Sequence, residues 1–243
     1  MPEASPTVFG AVRWMPEIDS TNRYLLDEAR HGAPAGLVVV ADHQTAGRGR
    51  LGRTWVAPPG ASLLISVLLR PSIPVDRRHV LVTTAGLAMA EAVEAETGVR
   101  AGLKWPNDLL VGHRKLAGIL AEATGDALVI GIGVNIDWND VPEDLRAIAT
   151  ACNLEGGRPT TREAVVRTFL DGYAVRLADL DRALADDERR LVTIGRRVRV
   201  EQSTGVLHGT ARAVDASGHL VLDLDDGSTV TVAVGDVIHL RDE

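Results

Sequence analysis

Residues 103–120 read LKWPNDLLVGHRKLAGIL. VRAGLKW and KLAGILAEA are strand-like pieces on either side of a break in which Pro106 fixes a turn beside Trp105. Gly112 and His113 fit a second turn, between DLLV and RKLAGIL. The same stretch contains Lys104 and Lys115, the only lysines in the chain; all the other basic residues, of 26 in total, are arginines. A general preference for arginine explains the majority but not where the two exceptions fall.

On the N-terminal side, DSTNRYLLDEARHG opens with the cap-type residues Asp19 and Ser20, spaces Leu25, Leu26 and Ala29 helically, and stops at Gly32. LVVVAD and ASLLISVLLR, the latter closed by Pro71, are apolar runs suited to buried strands. An alanine-rich segment from Val75 to Thr97 predicts a long helix that ends at Gly98. On the C-terminal side, ALVIGIGVNI reads as a strand. TREAVVRTFLDGYAVRLADLDRAL reads as one long amphipathic helix with Val165, Phe169, Tyr173, Leu177 and Leu180 in its apolar stripe.

Near Ile194 the pattern changes to short alternating strands broken by STG, ASG and DDG, which predicts a small barrel from about Val198 to Leu240. The expected architecture is therefore an α+β domain over residues 1–193, with a mixed sheet and helices, followed by a small all-β barrel over residues 194–243.

A net charge of −7 argues against a broadly basic nucleic-acid surface. The N-terminal MPEASPTVFGAVRW lacks the basic and apolar regions of a secretory signal, and no run of about 18 apolar residues occurs. The single cysteine, Cys152, reads as a packed thiol and suits a cytoplasmic location.

One basic segment stands out. In HQTAGRGRLGRTW, residues 43–55, Gly47, Gly49 and Gly52 alternate with Arg48, Arg50 and Arg53. Glycine lets backbone N–H groups approach a ligand, and the three guanidiniums repel one another with no acid between them. Such a loop is expected to be poorly held by its own contacts and to order around an anion. It is not a phosphate-binding P-loop, and GIGVN lacks the third glycine of a dinucleotide fingerprint. The glycines of GIGVN read as positions of close backbone approach in a strand.

Taken in order, DSTN (Asp19–Asn22), GRGRLGRTW (Gly47–Trp55), KWPND (Lys104–Asp108), KLAGIL (Lys115–Leu120) and GIGVN (Gly131–Asn135) resemble the signature blocks of biotin protein ligases. The resemblance covers nearly the whole chain and makes the C-terminal barrel SH3-like. It implies a ligase that activates biotin with MgATP as biotinyl-5′-AMP and then transfers it to a lysine of a biotin carboxyl-carrier domain of an acyl-CoA carboxylase. Because the first block begins about twenty residues from Met1, the non-repressor type without a DNA-reading domain is expected. A homodimer is left open.

The resemblance also implies roles for particular residues. Ser20, Thr21, Asn22 and Gln44 would meet the ureido group. Gly47, Arg48, Gly49 and Arg50 would form the anion loop, with Lys115 and Gly118 beside it. Lys115, Arg48 and Arg50 would be catalytic, the compact ammonium of Lys115 standing between carboxylate and α-phosphate, where a planar guanidinium serves poorly.

Arg53, Trp55, Lys104, Asn107 and Asn135 would support ATP. Some of these keep second readings: Trp55 as a core aromatic, Lys104 as a holder of the Asn107–Asp108 turn, Asn135 as a strand-end cap. Asp108 is a weak candidate for Mg²⁺, whose ligands the sequence does not identify. The barrel is either a stabilising cap or a contributor to carrier or ATP binding. A lipoate ligase, or a regulator using the Arg/Gly loop, would be the rival readings.

Overall fold

The computed structural model describes residues 8–239, apart from 140, 142, 144, 186–189, 203 and 234. Its first part runs β1 (Val12–Ile18), α1 (Thr21–Arg30), β2 (Val38–Gln44), β3 (Ser62–Leu69), α2 (His79–Thr97), β4 (Gly102–Lys104), β5 (Asp108–Val111), β6 (Arg114–Thr124), β7 (Ala127–Asn135), α3 (Arg162–Ala178) and α4 (Leu180–Ala185). Seven strands form one mixed sheet in the order β1-β2-β3-β7-β6-β5-β4. Only β1 and β2 run parallel; the other neighbours are antiparallel.

Every residue of β3 is buried, and most of β7 is too. The reason lies on both faces of the sheet. Leu25, Leu26 and Ala29 of α1 pack with Val39, Leu68 and Val129 on one side, while α2 and α3 join the main core on the other. A strand covered on both faces reads as a continuous apolar run rather than an alternation, which is what SLLISVLL shows. Gly86 of α2 sits where an added Cβ would lie 2.9 Å from Ile119 Cδ1 and 3.0 Å from Leu103 Cδ1, so this glycine sets a close helix–sheet approach. Tyr173 of α3 is fully buried and donates to the Leu81 carbonyl at 2.9 Å. Cys152 is buried, as expected of a packed thiol.

Three expectations change. β1 was not anticipated: Val12, Trp14 and Ile18 alternate, but Pro16 interrupts the run; as an edge strand it tolerates a residue without an N–H. The predicted helix from Val75 begins instead with a separate 3-10 turn at Val75–Arg77 and becomes α-helical at His79. The predicted long helix from Thr161 breaks at Asp179, whose backbone is extended and whose side chain accepts from Arg182 N at 3.0 Å, capping α4. Val165, Phe169 and Tyr173 are buried as the stripe required, with Leu177 and Leu180 half-buried at its end.

The second part contains β8 (Arg197–Gln202), β9 (Gly205–Val214), β10 (Leu220–Leu224), β11 (Thr229–Val232) and β12 (Asp236–His239), antiparallel in the order β11-β10-β9-β8-β12. Leu240, where the barrel was expected to end, lies outside the described residues. The core of this part is completed from the first: Trp105, between β4 and β5, is fully buried among Val198, Val200, Leu220 and Val237. Its Nε1 donates to the Gly218 carbonyl at 2.9 Å. Gly218, at φ +83°, approaches α2 so closely that a Cβ would lie 3.0 Å from Val80 N.

His79 lies in this junction, tilted against Trp105 with ring centroids 5.6 Å apart, and its Nε2 has no hydrogen-bond partner among the described residues. Burial, and then the charge of Arg50, lower its pKa from 6.5 to about 4. Burial, and then Lys104 and Arg196, lower that of His239 to about 4 as well. Between these values the unfolded chain binds protons that the folded chain does not. Stability from these groups is therefore full above pH 6.5, falls as the pH drops towards 4, and levels off below. Urea-unfolding midpoints should fall over this window, and His79→Asn should reduce the slope between pH 6.5 and 5. An unchanged slope would contradict the assignment.

Candidate functional site

The site starts at the N-terminus of α1. Ser20 is the N-cap, its Oγ accepting from Arg23 N at 3.5 Å, so Thr21 and Asn22 begin the helix with their side chains turned into the sheet. Gln44 Oε1, at the end of β2, accepts from Thr21 N at 2.8 Å and lies 3.0 Å from Thr21 Oγ1. Ser66 Oγ of β3 lies 2.7 Å from both Thr21 Oγ1 and Asn22 Oδ1. Asn22 Nδ2 donates to the Leu120 carbonyl at 3.2 Å and to Glu122 Oε2 at 3.0 Å, which fixes the amide with its oxygen towards Ser66.

Three short oxygen–oxygen contacts here share only the two hydroxyl protons of Thr21 and Ser66. This end of the site therefore has surplus acceptors and suits a ligand that brings N–H donors. Gly131 makes room for the arrangement, since a Cβ there would lie 2.0 Å from Asn22 Oδ1.

The glycine loop closes the opposite side. Gly49 N donates to Arg53 O at 2.7 Å and Trp55 N to Gly47 O at 3.0 Å, giving a tight hairpin; a Cβ on Gly47 would lie 2.4 Å from Trp55 O. The expectation of a loop poorly held by its own contacts is not met. Its counter-groups come from distant strands. Arg48 Nη2 pairs with Glu122 Oε1 at 2.8 Å. Arg50 donates to Asn107 Oδ1 at 2.8 Å and to the Gly235 carbonyl at 3.1 Å. Arg53 is ion-paired with Asp236 of β12. Arg50 is the most desolvated of the three, and burial lowers its pKa in spite of Asp236 and Asp108 nearby.

Lys115 is held on β6 by main-chain bonds on both sides, from its N to Ile148 O at 2.7 Å and from Thr150 N to its O at 2.9 Å. Its Nζ lies 2.7 Å from Asp108 Oδ1, an ion pair without hydrogen-bond alignment, and 5.6 Å from the centre of the Trp55 ring. Asp108, considered for Mg²⁺, is thus the counter-ion of Lys115. The Trp55 ring lies over two strand glycines: a Cβ on Gly118 would come within 2.9 Å of it, and one on Gly133 within 2.4 Å.

Two cavities meet at this point. The first, of about 50 Å³, is bounded by the α1 N-terminus, Gln44, Arg48, Gly49, Arg50, Asn107 and Gly118. The second, of about 1070 Å³, is bounded by Arg53, Lys104, Asp108, Asn135 and His239. Trp55 and Lys115 line both. Of the residues singled out from the sequence, Gly47 shapes the hairpin and the others line one cavity or the other.

Asn107, grouped with the nucleotide in the sequence reading, lies on the first cavity; Trp55 lies on both. Asn135 is buried, donating to Thr150 O at 2.9 Å. Lys104 faces the larger space, where burial lowers its pKa. The sequence reading missed Ser66 and Glu122, whereas the close approach expected at the GIGVN glycines is met, by Asn22 at Gly131 and by Trp55 at Gly133. The signals were present: a serine among the apolar residues of a strand, and a lone acid in KLAGILAEA.

Residues 14–139 match the Biotin/lipoate A/B protein ligase family and residues 193–240 the Biotin protein ligase C terminal domain. The chain belongs to the biotin/lipoate A/B protein ligase family. It is 41% identical over 232 residues to the biotin--[acetyl-CoA-carboxylase] ligase of Mycobacterium tuberculosis, covering 91% of this chain and 86% of that one. It is 33% identical over 222 residues to the bifunctional ligase/repressor BirA of Bacillus spizizenii, covering 86% and 68%. Among solved structures, the biotin protein ligase from Aquifex aeolicus in complex with biotin and ATP superposes with a TM-score of 0.83 at 28% identity, covering 96% of this chain and all of that one.

A Cβ at Gly131 would displace the Asn22 amide. Gly131→Ala should weaken biotin binding by about tenfold or more, the scale of losing one or two buried hydrogen bonds. Titration calorimetry checks this; an unchanged affinity would show that Asn22 does not face the ligand.

Proposed function

We infer that the chain is a biotin–[biotin carboxyl-carrier protein] ligase, forming biotinyl-5′-AMP from biotin and MgATP and then biotinylating a lysine of its carrier. The observation that carries this reading for the site is the position of Lys115 and Trp55 on the wall between two cavities, one acceptor-rich and small, the other large.

In this reading the ureido group, with two N–H donors and one acceptor, occupies the end formed by Ser20, Thr21, Asn22 and Gln44. Serine at the N-cap and the positive end of the α1 dipole suit its carbonyl oxygen. The carboxylate then points along the pocket towards Arg48, Arg50 and Lys115. The nucleotide takes the larger cavity beside Arg53, Lys104 and Asn135.

The carboxylate oxygen attacks the α-phosphorus and pyrophosphate leaves. Lys115 and the loop arginines offset the charge of the two reactants as they approach, in a site that excludes water. In the second half the carrier's amine attacks the acyl carbon, the amide forms, AMP leaves and the amine loses a proton. Mg²⁺ enters with ATP as part of the substrate.

Other elements of the reading are also proposals. The division into a ligase domain over 1–193 and an SH3-like domain over 194–243 is supported by the change of sheet. The carrier would be the carboxyl-carrier domain of an acyl-CoA carboxylase, as the Mycobacterium tuberculosis relative's name suggests. No helix among the described residues is long and apolar enough to cross a membrane; a cytoplasmic location and a homodimer remain part of the proposal.

Biotin-dependent exchange of pyrophosphate into ATP tests the first half-reaction. Exchange that requires lipoate instead would transfer the chain to the other activity of the family. Lys115→Arg should lower the exchange rate by roughly a hundredfold, the effect of losing one electrostatic contact to a developing charge, while moving the thermal midpoint by less than about 4 °C. An unchanged rate would remove Lys115 from the reaction.

A further inference from the structure

Glu122 is the residue that the reaction as described does not use and the geometry does. It projects from β6 with a side chain only 19% exposed, and its two oxygens serve different parts of the site. Oε1 is 2.8 Å from Arg48 Nη2, and Oε2 accepts from Asn22 Nδ2 at 3.0 Å. Asn22 belongs to the acceptor-rich end and Arg48 to the loop. The other loop arginines are tied elsewhere, Arg50 to Asn107 and the Gly235 carbonyl and Arg53 to Asp236. Main-chain bonds such as Ala46 N to Asp19 O at 2.9 Å tie the root of the loop to the start of α1, while Glu122 joins a loop guanidinium to an α1 side chain through one carboxylate.

We propose that Glu122 is a positioning residue for biotin activation, orienting Arg48 towards the substrate carboxylate and fixing the Asn22 amide with its oxygen towards the ureido group. This rests on the ligase reading given above. Two features make it physical. An amide at the end of Asn22 has two orientations, and the pair of acceptors on its nitrogen, Leu120 O and Glu122, selects one. A guanidinium has five N–H donors in a rigid fork. With Nη2 on Glu122, its remaining donors stay available to an arriving anion, and its plane is already set. The carboxylate thus spends one charge of the loop to fix where the rest of that guanidinium points.

A double-mutant cycle separates positioning from mere stability. Glu122→Gln keeps an oxygen for Asn22 but loses the anionic partner of Arg48. In biotin-dependent pyrophosphate exchange it should lower kcat by roughly tenfold with a smaller change in the KM for biotin. Glu122→Ala should also raise that KM, because the Asn22 amide is released. In an Arg48→Ala background, Glu122→Gln should cost less than about twofold, since the group it positions is gone.

Equal losses from Glu122→Gln in both backgrounds, or no loss in either, would overturn the proposal. Wild-type chain that exchanges pyrophosphate only with lipoate, or not at all, would instead defeat the biotin reading and the proposal with it. The two failures are read from different proteins in the same assay.

Discussion

Two anions must be brought into contact and kept there long enough to react. At 4 Å and an effective dielectric near 20, two unit charges of like sign repel by about 4 kcal/mol, and the α-phosphate of a nucleotide does not stand alone. Cations are the obvious remedy, but a cluster of free cations is itself unstable. The fold resolves this by holding three of the cations with a carboxylate, Asp108 of the adjacent strand for Lys115, Glu122 for Arg48 and Asp236 for Arg53, and the fourth, Arg50, with the Asn107 amide and the Gly235 carbonyl. The loop is therefore shaped by contacts within the protein. Its positive charge is balanced locally by groups that a carboxylate or phosphate can supplement or replace.

That arrangement constrains the rest of the sheet. The indole of Trp55 and the amide of Asn22 both lie directly on strand backbone, so Gly118, Gly131 and Gly133 occupy the facing positions on β6 and β7. The polar end, with Ser66 set among the apolar residues of β3, sits against a core sealed on both faces. The small second part of the chain is drawn into the same scheme. It takes Trp105 into its core, and it returns the Gly235 carbonyl and the Asp236 carboxylate to Arg50 and Arg53. It is built into the loop's support and does more than cover an exposed face.

Much of this was legible in the residues. SLLISVLL declared a strand covered on both sides, Gly98 marked the end of α2, and the Lys115 exception among arginines singled out the residue that stands between the two cavities. What stayed hidden was hidden for physical reasons. β1 contains Pro16, which argues against a strand when read locally, whereas an edge strand does not need every N–H. The partners of the loop arginines lie tens of residues or more from it in sequence, so charge counted locally gave three repelling guanidiniums and a floppy loop, whereas charge counted in space gives ion pairs. The glycines of GIGVN promised close approach but did not say what approaches; only the fold brings Asn22 and Trp55 against them.

The account turns on Lys115 meeting both reactants at the boundary of the two cavities, and the composition of the chain makes that directly observable. With two lysines in the whole sequence, lysine-selective ¹⁵N labelling yields two side-chain ammonium signals, which Lys104→Arg assigns. The Lys115 signal should shift when biotin is added and shift again when a non-hydrolysable ATP analogue joins it. A Lys115 signal that ignores one of the two ligands would contradict the placement of this ammonium between them.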